Sequence, residues 1–415
     1  MNILYINNFA GSKNLGMELR PYYLGKNWVK FGHRVSIIAS SFVHVRAKQP
    51  EVTLNFQKEV IDGMDYYWIK CPKYSGIGFV RLISFSIFIL RLIFESRFVA
   101  RKLKPDYVIA SSTYLWDVYP AKMIAKHSGA KLVYEFPDIQ PLTIMEVFNY
   151  SKYHPVIFFM SLTEKYIYRN SDKIVCVLPN GYEHMKQFGL PPERYSLVPN
   201  GIDVQTWIES ILAIPFSLKT LILSYKENGY FIVGYAGHMS RQNSLETLIA
   251  TAELLKEEKI VFILIGDGPN KEVLLKLKEE KRTNNVVFYE RIAKESVPSF
   301  LSQMDSVFIA FRKLHLYEYG VNTNKLYEYM IQAKPVIQSQ NAGNDLVAEA
   351  NCGISCPAED PVACAEAIKK LRDMPIEERK RLGQNGYEHV IENYDYKILA
   401  AKYLVEIVND EMGRY

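Results

Sequence analysis

The chain has 415 residues, 48% of them hydrophobic and 23% charged, and its 50 basic against 45 acidic side chains leave a formal charge of +5. At roughly 150 residues per domain that length suggests two or three domains, and the composition excludes a disordered, collagenous or simple coiled-coil chain. So small an average surplus of charge gives no indication of nucleic acid as a partner.

From the first residue the chain alternates strand-like runs with helix-length amphipathic segments. Met1 to Ile6 has neither a basic leader nor a cleavage site and reads as a first strand. Strand-like runs follow at residues 3–7, 35–39, 107–110, 132–136 and 174–178, then at 231–235, 261–265, 286–289, 307–310 and 335–338. Many are apolar at successive positions, as strands covered on both faces must be. Their alternation with helices predicts parallel, doubly wound sheets. So many strands exceed one ordinary sheet, so the fold class expected is α/β, with two successive Rossmann-like domains. The expected division is 1–203, a linker at 204–229, a second domain at 230–393 and a terminal helix at 394–415.

One segment breaks the rhythm. Between Lys70 and Lys104 there are eight basic residues and one acidic, Glu95, and a helix is expected over about 78–103. On a helical projection Arg81, Ser84, Arg91, Glu95 and Lys102 fall near one stripe, with Leu82, Ile83, Phe85, Ile89, Leu92, Ile93 and Phe98 on the other faces. A wide apolar face flanked by arginines suits a helix lying in a membrane interface. A core helix between strands is the other reading, and two internal arginines argue against a membrane span.

Several loops carry side chains suited to chemistry. After the first strand comes Asn8 to Glu18, containing Gly11 and Gly16, and then a helix expected at 17–31. Loops at the carboxyl ends of parallel strands are where open α/β sheets bind ligands, and glycine allows close backbone approach. Asp138, just past the run 132–136, can serve as a base or bind a hydroxyl, or simply form an Asx-turn. Gly266-Asp267-Gly268-Pro269 ends a buried strand and opens a helix. In Asn322-Thr323-Asn324-Lys325, Asn322 or Thr323 can cap a helix whose first turn carries Lys325, a pattern suited to a diphosphate. Glu328 stands three residues beyond Lys325, placed to bridge vicinal ribose hydroxyls or to form a surface ion pair. The five cysteines, Cys71, Cys176, Cys352, Cys356 and Cys364, match no zinc spacing and fit a reducing compartment.

Taken together, these stretches resemble glycosyltransferase family 4, retaining enzymes of the GT-B fold, in which two Rossmann-like domains face each other across a cleft. The resemblance rests on residues 16–24, 32–35, 197–203, 264–269, 324–330 and 342–353. The first and last of these look more narrowly like the WbuB-type subgroup of surface-polysaccharide enzymes, which are similar to N-acetyl-fucosamine transferases. The resemblance implies an N-terminal acceptor domain and a C-terminal donor domain. Its Glu-x7-Glu motif places the second Glu on Glu328 and finds Gly320 where the first usually stands. Its diphosphate-gripping Arg and Lys fall near 237–244, where this chain has His238, Arg241 and Asn243, so Lys325 becomes the natural replacement cation. A neutral core histidine is the other reading of His238. Where relatives carry a His-Asp pair, this chain has Pro137-Asp138.

The resemblance thus implies donor contacts at Gly16, Arg241, Asn243, Gly266, Gly268, Arg291, Asn324, Lys325 and Glu328. It implies acceptor contacts at Glu18, Arg20 and Asp138, and chemistry at Asp138, His238 and Lys325. The expected reaction moves a sugar, such as N-acetyl-fucosamine, with retention from a UDP-sugar to a polyprenyl-diphosphate-linked saccharide in O-antigen or capsule synthesis. It needs no metal and no cofactor. The expected place is the cytoplasm, at the anionic inner leaflet of the plasma membrane. A non-catalytic partner of another transferase, or a nucleotide-sugar 2-epimerase, are the competing expectations.

Overall fold

A computed structural model describes residues 1–75, 79–209 and 211–408. The chain forms two compact units, Met1–Asn200 joined by the C-terminal segment from Tyr396, and Gly201–Asp395. The boundary therefore falls at 200/201 rather than after 203, and the stretch expected as a linker is structured. It carries the helices Val204–Glu209 and Phe216–Glu227, and Trp207, Leu218 and Ile222 enter the core of the second unit. Residue 78 of the expected basic helix, residue 210 of the expected linker and residues 409–415 of the expected terminal helix lie outside the described residues.

The first unit holds an eight-stranded sheet built from β1 (Asn2–Ile6), β2 (Arg34–Ser40), β3 (Gln57–Ile61), β4 (Met64–Ile69), β5 (Tyr107–Ala110), β6 (Lys131–Phe136), β7 (Lys173–Cys176) and β8 (Tyr195–Leu197). The spatial order is β3-β4-β2-β1-β5-β6-β7-β8. Every pairing is parallel except the β3–β4 hairpin. Tyr5 stands opposite Ile37 on one side and Ile109 on the other, all three fully buried, as a central strand covered on both faces requires. The strand order reverses between β1 and β5, which makes the loops after these two strands the topological switch point of the unit. The helix Tyr396–Val408 completes this unit's core: the Trp28 indole N–H donates to the Ala400 carbonyl at 3.0 Å, and Tyr23 stacks on Tyr396.

The second unit holds a six-stranded, wholly parallel sheet of β9 (Phe231–Ala236), β10 (Ile260–Ile265), β11 (Val286–Tyr289), β12 (Ser306–Ala310), β13 (Val336–Ser339) and β14 (Gly353–Cys356). Its order is β11-β10-β9-β12-β13-β14, with the switch point between β9 and β12. All six residues of β9 and all six of β10 are buried, so these strands read as unbroken apolar runs in the sequence. The ten strand-like runs of the sequence are all strands. Three of the four additional ones are short or partly exposed: β8 has three residues, β14 four, and β3 is a charged edge strand. β4 is its buried hairpin partner.

Candidate functional site

In the first unit the loop after β1 folds back on itself. The Gly16 amide donates to the Ser12 carbonyl at 2.8 Å and the Gly11 amide to the Glu18 carbonyl at 3.0 Å. A Cβ on Gly11 would lie 1.8 Å from the Gly16 oxygen, so only glycine permits this closure. The loop delivers Glu18 and Arg20 to the carboxyl edge of the sheet. The observed helix is Arg20–Lys30, beginning three residues later than expected, with Pro21 in its first turn.

Arg20 is turned into the domain. Its guanidinium lies 3.0 Å from the Glu135 carboxylate and donates to the carbonyls of Pro199 and Val198 at 2.6 and 2.9 Å. Both members of this ion pair are buried, and Glu135 also accepts from the Tyr5 hydroxyl. Arg20 therefore fixes the chain leaving β8, and this is what occupies the guanidinium expected to meet an acceptor. Glu18 sits beside this pair, only partly exposed. Burial raises its carboxyl pKa, the charge of Glu135 raises it further, and Arg20 opposes both. Asp138 lies just past β6. Its carboxylate accepts from the Ile139 amide at 3.1 Å, so a local turn bond is made. Burial raises its pKa against the pull of Thr143 and that amide. Burial thus raises the pKa of both carboxyls, Glu18 and Asp138, at this edge of the sheet.

The basic segment forms the helix Phe79–Leu103. The stripe that the projection gave as polar meets protein at several positions. The Ser84 hydroxyl is buried and donates to the Pro72 carbonyl at 3.0 Å, Arg91 donates to the Lys70 carbonyl, and Lys102 lies over the rings of Phe56, Tyr67 and Phe98. The outward stripe is Val80, Ile83, Leu90, Phe94 and Phe98, with Phe94 83% exposed, followed by exposed Arg97 and Arg101. The opposite side, through Phe85, Phe88, Leu92 and Val99, is core. Among the described residues no helix is long and apolar enough to cross a membrane.

In the second unit the loops after β9 and β10 are zipped together. The Gly237 amide donates to the Ile265 carbonyl at 3.1 Å and the Met239 amide to the Asp267 carbonyl at 2.8 Å. A Cβ on Gly266, at φ +140°, would lie 1.9 Å from the Gly237 oxygen, and one on Gly268 would lie 2.4 Å from the Met239 oxygen. These glycines hold two strand-end loops in backbone contact at the carboxyl edge. Lys325, on the helix Asn324–Met330, reaches into the same edge. Its Nζ donates to the Tyr235 hydroxyl at 3.1 Å and to the Asn243 side-chain oxygen. The Asn243 amide group is held in turn by the His238 carbonyl and the Ser240 hydroxyl, both at 2.8 Å. Gly237 leaves the room for this: its Cβ would lie 2.7 Å from Lys325 Cδ. Burial lowers the Lys325 pKa to about 7, only partly offset by Glu328.

The structure therefore brings Asn243, Lys325, Gly266 and Gly268 to one edge. The expected side-chain cap is not made: Thr323 precedes the helix without a capping bond, and Asn322 accepts instead from the Tyr327 hydroxyl at 2.9 Å. Glu328 is largely buried and meets the exposed Lys294 at 3.1 Å. The side chains of His238, Arg241 and Arg291 are exposed, which removes the core reading of His238. Arg241 also lines a cavity of about 370 Å³ with Ser244, Glu246, Thr247, Arg312 and Glu359, where Arg312 pairs with Glu359 at 3.3 Å. Two participants escaped the sequence reading, Tyr235 and Lys294. Tyr235 lies inside a strand, and nothing local marks it as the partner of a lysine 90 residues away.

Residues 16–206 match the model of Glycosyltransferase Family 4, and residues 230–373 match that of Glycosyl transferases group 1. The chain is 22% identical over 279 residues to the putative colanic acid biosynthesis glycosyl transferase WcaI of Escherichia coli, covering 66% of this chain and 68% of that one. The sucrose-phosphate synthase of Thermosynechococcus elongatus superposes with a TM-score of 0.72 at 16% identity, over 100% of both chains. Anabaena HepE in complex with UDP superposes with a TM-score of 0.65 at 13% identity, over 99% of this chain and 100% of that one. The fold is GT-B.

Proposed function

We propose, from the premise that this chain is a glycosyltransferase of the family 4 type, that it moves a sugar from a UDP-linked donor to a lipid-diphosphate-linked saccharide during assembly of a bacterial surface polysaccharide, with retention at the anomeric carbon. The observation that carries this reading is the Lys325 ammonium, buried at the carboxyl edge of the second sheet on Tyr235 and Asn243, with Glu328 one turn further along its helix. Such a cation is suited to a diphosphate, and a carboxylate at that spacing to the ribose of the same nucleotide. UDP is favoured because HepE, of the same fold, is a UDP complex, and a polysaccharide product because WcaI carries that role in its name.

Chemistry at this site begins with departure of the nucleoside diphosphate. Charge develops on the leaving oxygen, and Lys325 stabilises it in a setting shielded from water. The amides of the zipped glycine loops and the exposed side chains of His238, Arg241 and Arg291 complete the donor contacts in this reading. The departing phosphate oxygen takes the proton of the incoming hydroxyl as the new glycosidic bond forms on the same face, so no protein nucleophile is required. Glu18 and Asp138 hold acceptor hydroxyls in this reading. The WbuB-like stretches favour an N-acetylated 6-deoxyhexosamine as the sugar. The apolar stripe from Val80 to Phe98, ending in Arg97 and Arg101, rests on the anionic lipid surface that carries the acceptor.

The test is transfer of radiolabelled sugar from a panel of UDP-sugars to a polyprenyl-diphosphate saccharide in anionic liposomes, run beside thermal shifts with UDP, GDP, ADP and CMP. A shift with UDP and label in the lipid fraction support the reading. A shift with GDP alone changes the donor, and no shift with any nucleotide overturns it.

A further inference from the structure

We propose that Arg81, with His44, Tyr74 and Tyr114 around it, is a binding site for the phosphate of an isoprenyl diphosphate, the anchor of a lipid-linked acceptor. The proposal rests on the acceptor reading above and names the part of the acceptor that the first unit recognises.

Four loops converge on Arg81. Phe9 follows β1, His44 follows β2, Tyr74 follows β4 and Tyr114 follows β5, and these four strands are adjacent and parallel in the order β4-β2-β1-β5. All four loops leave the carboxyl edge, and Phe9 and Tyr114 come from the two strands that flank the switch point, where open α/β sheets bind ligands. The guanidinium carbon of Arg81 lies 5.8 Å from the centre of the Phe9 ring and 5.6 Å from that of Tyr114. Tyr114 is itself braced by Phe85 and Trp116, at ring separations of 4.8 and 5.9 Å. His44 Nδ1 is 3.2 Å from the Tyr74 hydroxyl.

The cation in this aromatic setting lacks an anion. Arg81 Nε is buried without a hydrogen-bond partner, and among the described residues no carboxylate pairs with the guanidinium. The rings do not satisfy the buried Nε–H, and a buried donor without a partner is costly, although the residue as a whole is only half-buried. A phosphate removes that cost, because its oxygens match the planar fork of a guanidinium bidentately. Burial and the charge of Arg81 hold the His44 imidazole below its usual pKa, so a polar ring biased toward its neutral form stands beside the guanidinium, with Nδ1 on the Tyr74 hydroxyl. The apolar chain of such a ligand has a surface to follow, because Val80 and Ile83, on either side of Arg81 along the helix, are exposed.

The experiment is calorimetric titration of the full chain with geranyl diphosphate, inorganic diphosphate, UDP and phosphatidylglycerol vesicles. We expect geranyl diphosphate to bind, Arg81→Gln to weaken it by about ten-fold or more, or roughly 1.4 kcal/mol, and Arg81→Lys to restore part of the loss. UDP affinity should be the same in all three proteins, which also reports that each is folded. If Arg81→Gln does not fold, His44→Gln and Tyr114→Leu carry the test, each expected to weaken geranyl diphosphate and leave UDP untouched. Equal affinity of wild type and variants for geranyl diphosphate overturns the proposal, as does no binding by wild type. Arg81-dependent vesicle binding that geranyl diphosphate does not displace overturns it in favour of a bilayer headgroup. Loss of UDP binding in wild type with geranyl diphosphate still bound through Arg81 would sink the donor reading and leave this one standing.

Discussion

Lys325 Nζ lies 3.1 Å from the Tyr235 hydroxyl and 5.0 Å from the centre of the same ring, so an ammonium is held against an aromatic face inside the second unit. Its neighbour in charge, Glu328, is paired with Lys294 instead. Burial meanwhile discourages protonation of the lysine. The lysine is therefore half charged near pH 7 in the free protein.

This predicts a pH dependence with a definite sign. A bound diphosphate favours the protonated lysine and raises its pKa, so above about pH 7 binding must take up a proton. UDP affinity should fall as pH rises from 7 toward 9, with a limiting slope of about ten-fold per unit for one coupled proton. Below pH 7 the lysine is already charged and its contribution levels off. Calorimetry in buffers of different ionisation enthalpy measures the uptake directly. In Lys325→Met the affinity should drop and the slope above pH 7 should vanish; a slope that persists would assign the proton elsewhere. Stability responds with the opposite sign. The folded pKa lies below the unfolded value, so burial of Lys325 costs most at low pH, and that cost falls as pH climbs from about 7 to above 10.

Glu328→Ala should separate binding from stability. The carboxylate pairs with a lysine that is 65% exposed, and such pairs contribute roughly 0–1 kcal/mol. The melting temperature should hardly move. If Glu328 meets the ribose of the donor nucleotide, UDP affinity should fall by about ten-fold or more, because a hydrogen bond to a charged group is worth roughly 1.5–3 kcal/mol. Unchanged UDP affinity would remove the ribose assignment, and a large fall in melting temperature would make the residue structural.

Arg20 and Glu135 make the opposite case. Both are buried, at 3.0 Å, so removing one leaves an unpaired charge, which costs about 3–5 kcal/mol. Arg20→Met should destabilise the first unit strongly. Arg20→Met with Glu135→Leu should recover much of the loss, because apolar replacement of a whole buried pair is often neutral. If the single variant keeps its stability and loses acceptor affinity alone, Arg20 is an acceptor ligand after all.

The sequence was most legible where burial was most complete. β9 and β10 are apolar at nearly every position because both faces are covered, and such unbroken runs identified buried parallel strands without further help. The β3–β4 hairpin carried its own signal, since Asp62-Gly63 is a favoured hairpin turn and both residues have positive φ. Its charged first strand hid it. At the candidate site, Lys325 and Glu328 were legible because they share one helix and one spacing. Asn243 and Tyr235 come to Lys325 across 82 and 90 residues of chain, which no local pattern records. The basic helix shows the limit of periodicity. It fixed which residues share a stripe but not which stripe faces inward, and small serines such as Ser84 can be buried once a carbonyl accepts their hydroxyl.

The observed orientation yields a test of the outward face of the helix Phe79–Leu103. Arg81 and Arg91 are engaged with the protein, on aromatic rings and on the Lys70 carbonyl, so charge reversal there would report on folding. The informative positions are Leu90 and Phe94 for the apolar contact and, for the electrostatic one, Arg101 together with Arg97, whose Nε makes an exposed bond to His127 at 3.1 Å. Leu90→Ser with Phe94→Ser should weaken binding to phosphatidylglycerol liposomes at every ionic strength, because the buried apolar area is lost. Arg97→Glu with Arg101→Glu should weaken it at low salt and make little difference at about 1 M, where the screening length is about 3 Å. The two effects should add, since insertion of the apolar stripe and attraction by the basic end act on different groups. Sedimentation with liposomes at both salt concentrations measures all of this. Liposome binding that neither pair of substitutions reduces would place the membrane contact on another surface.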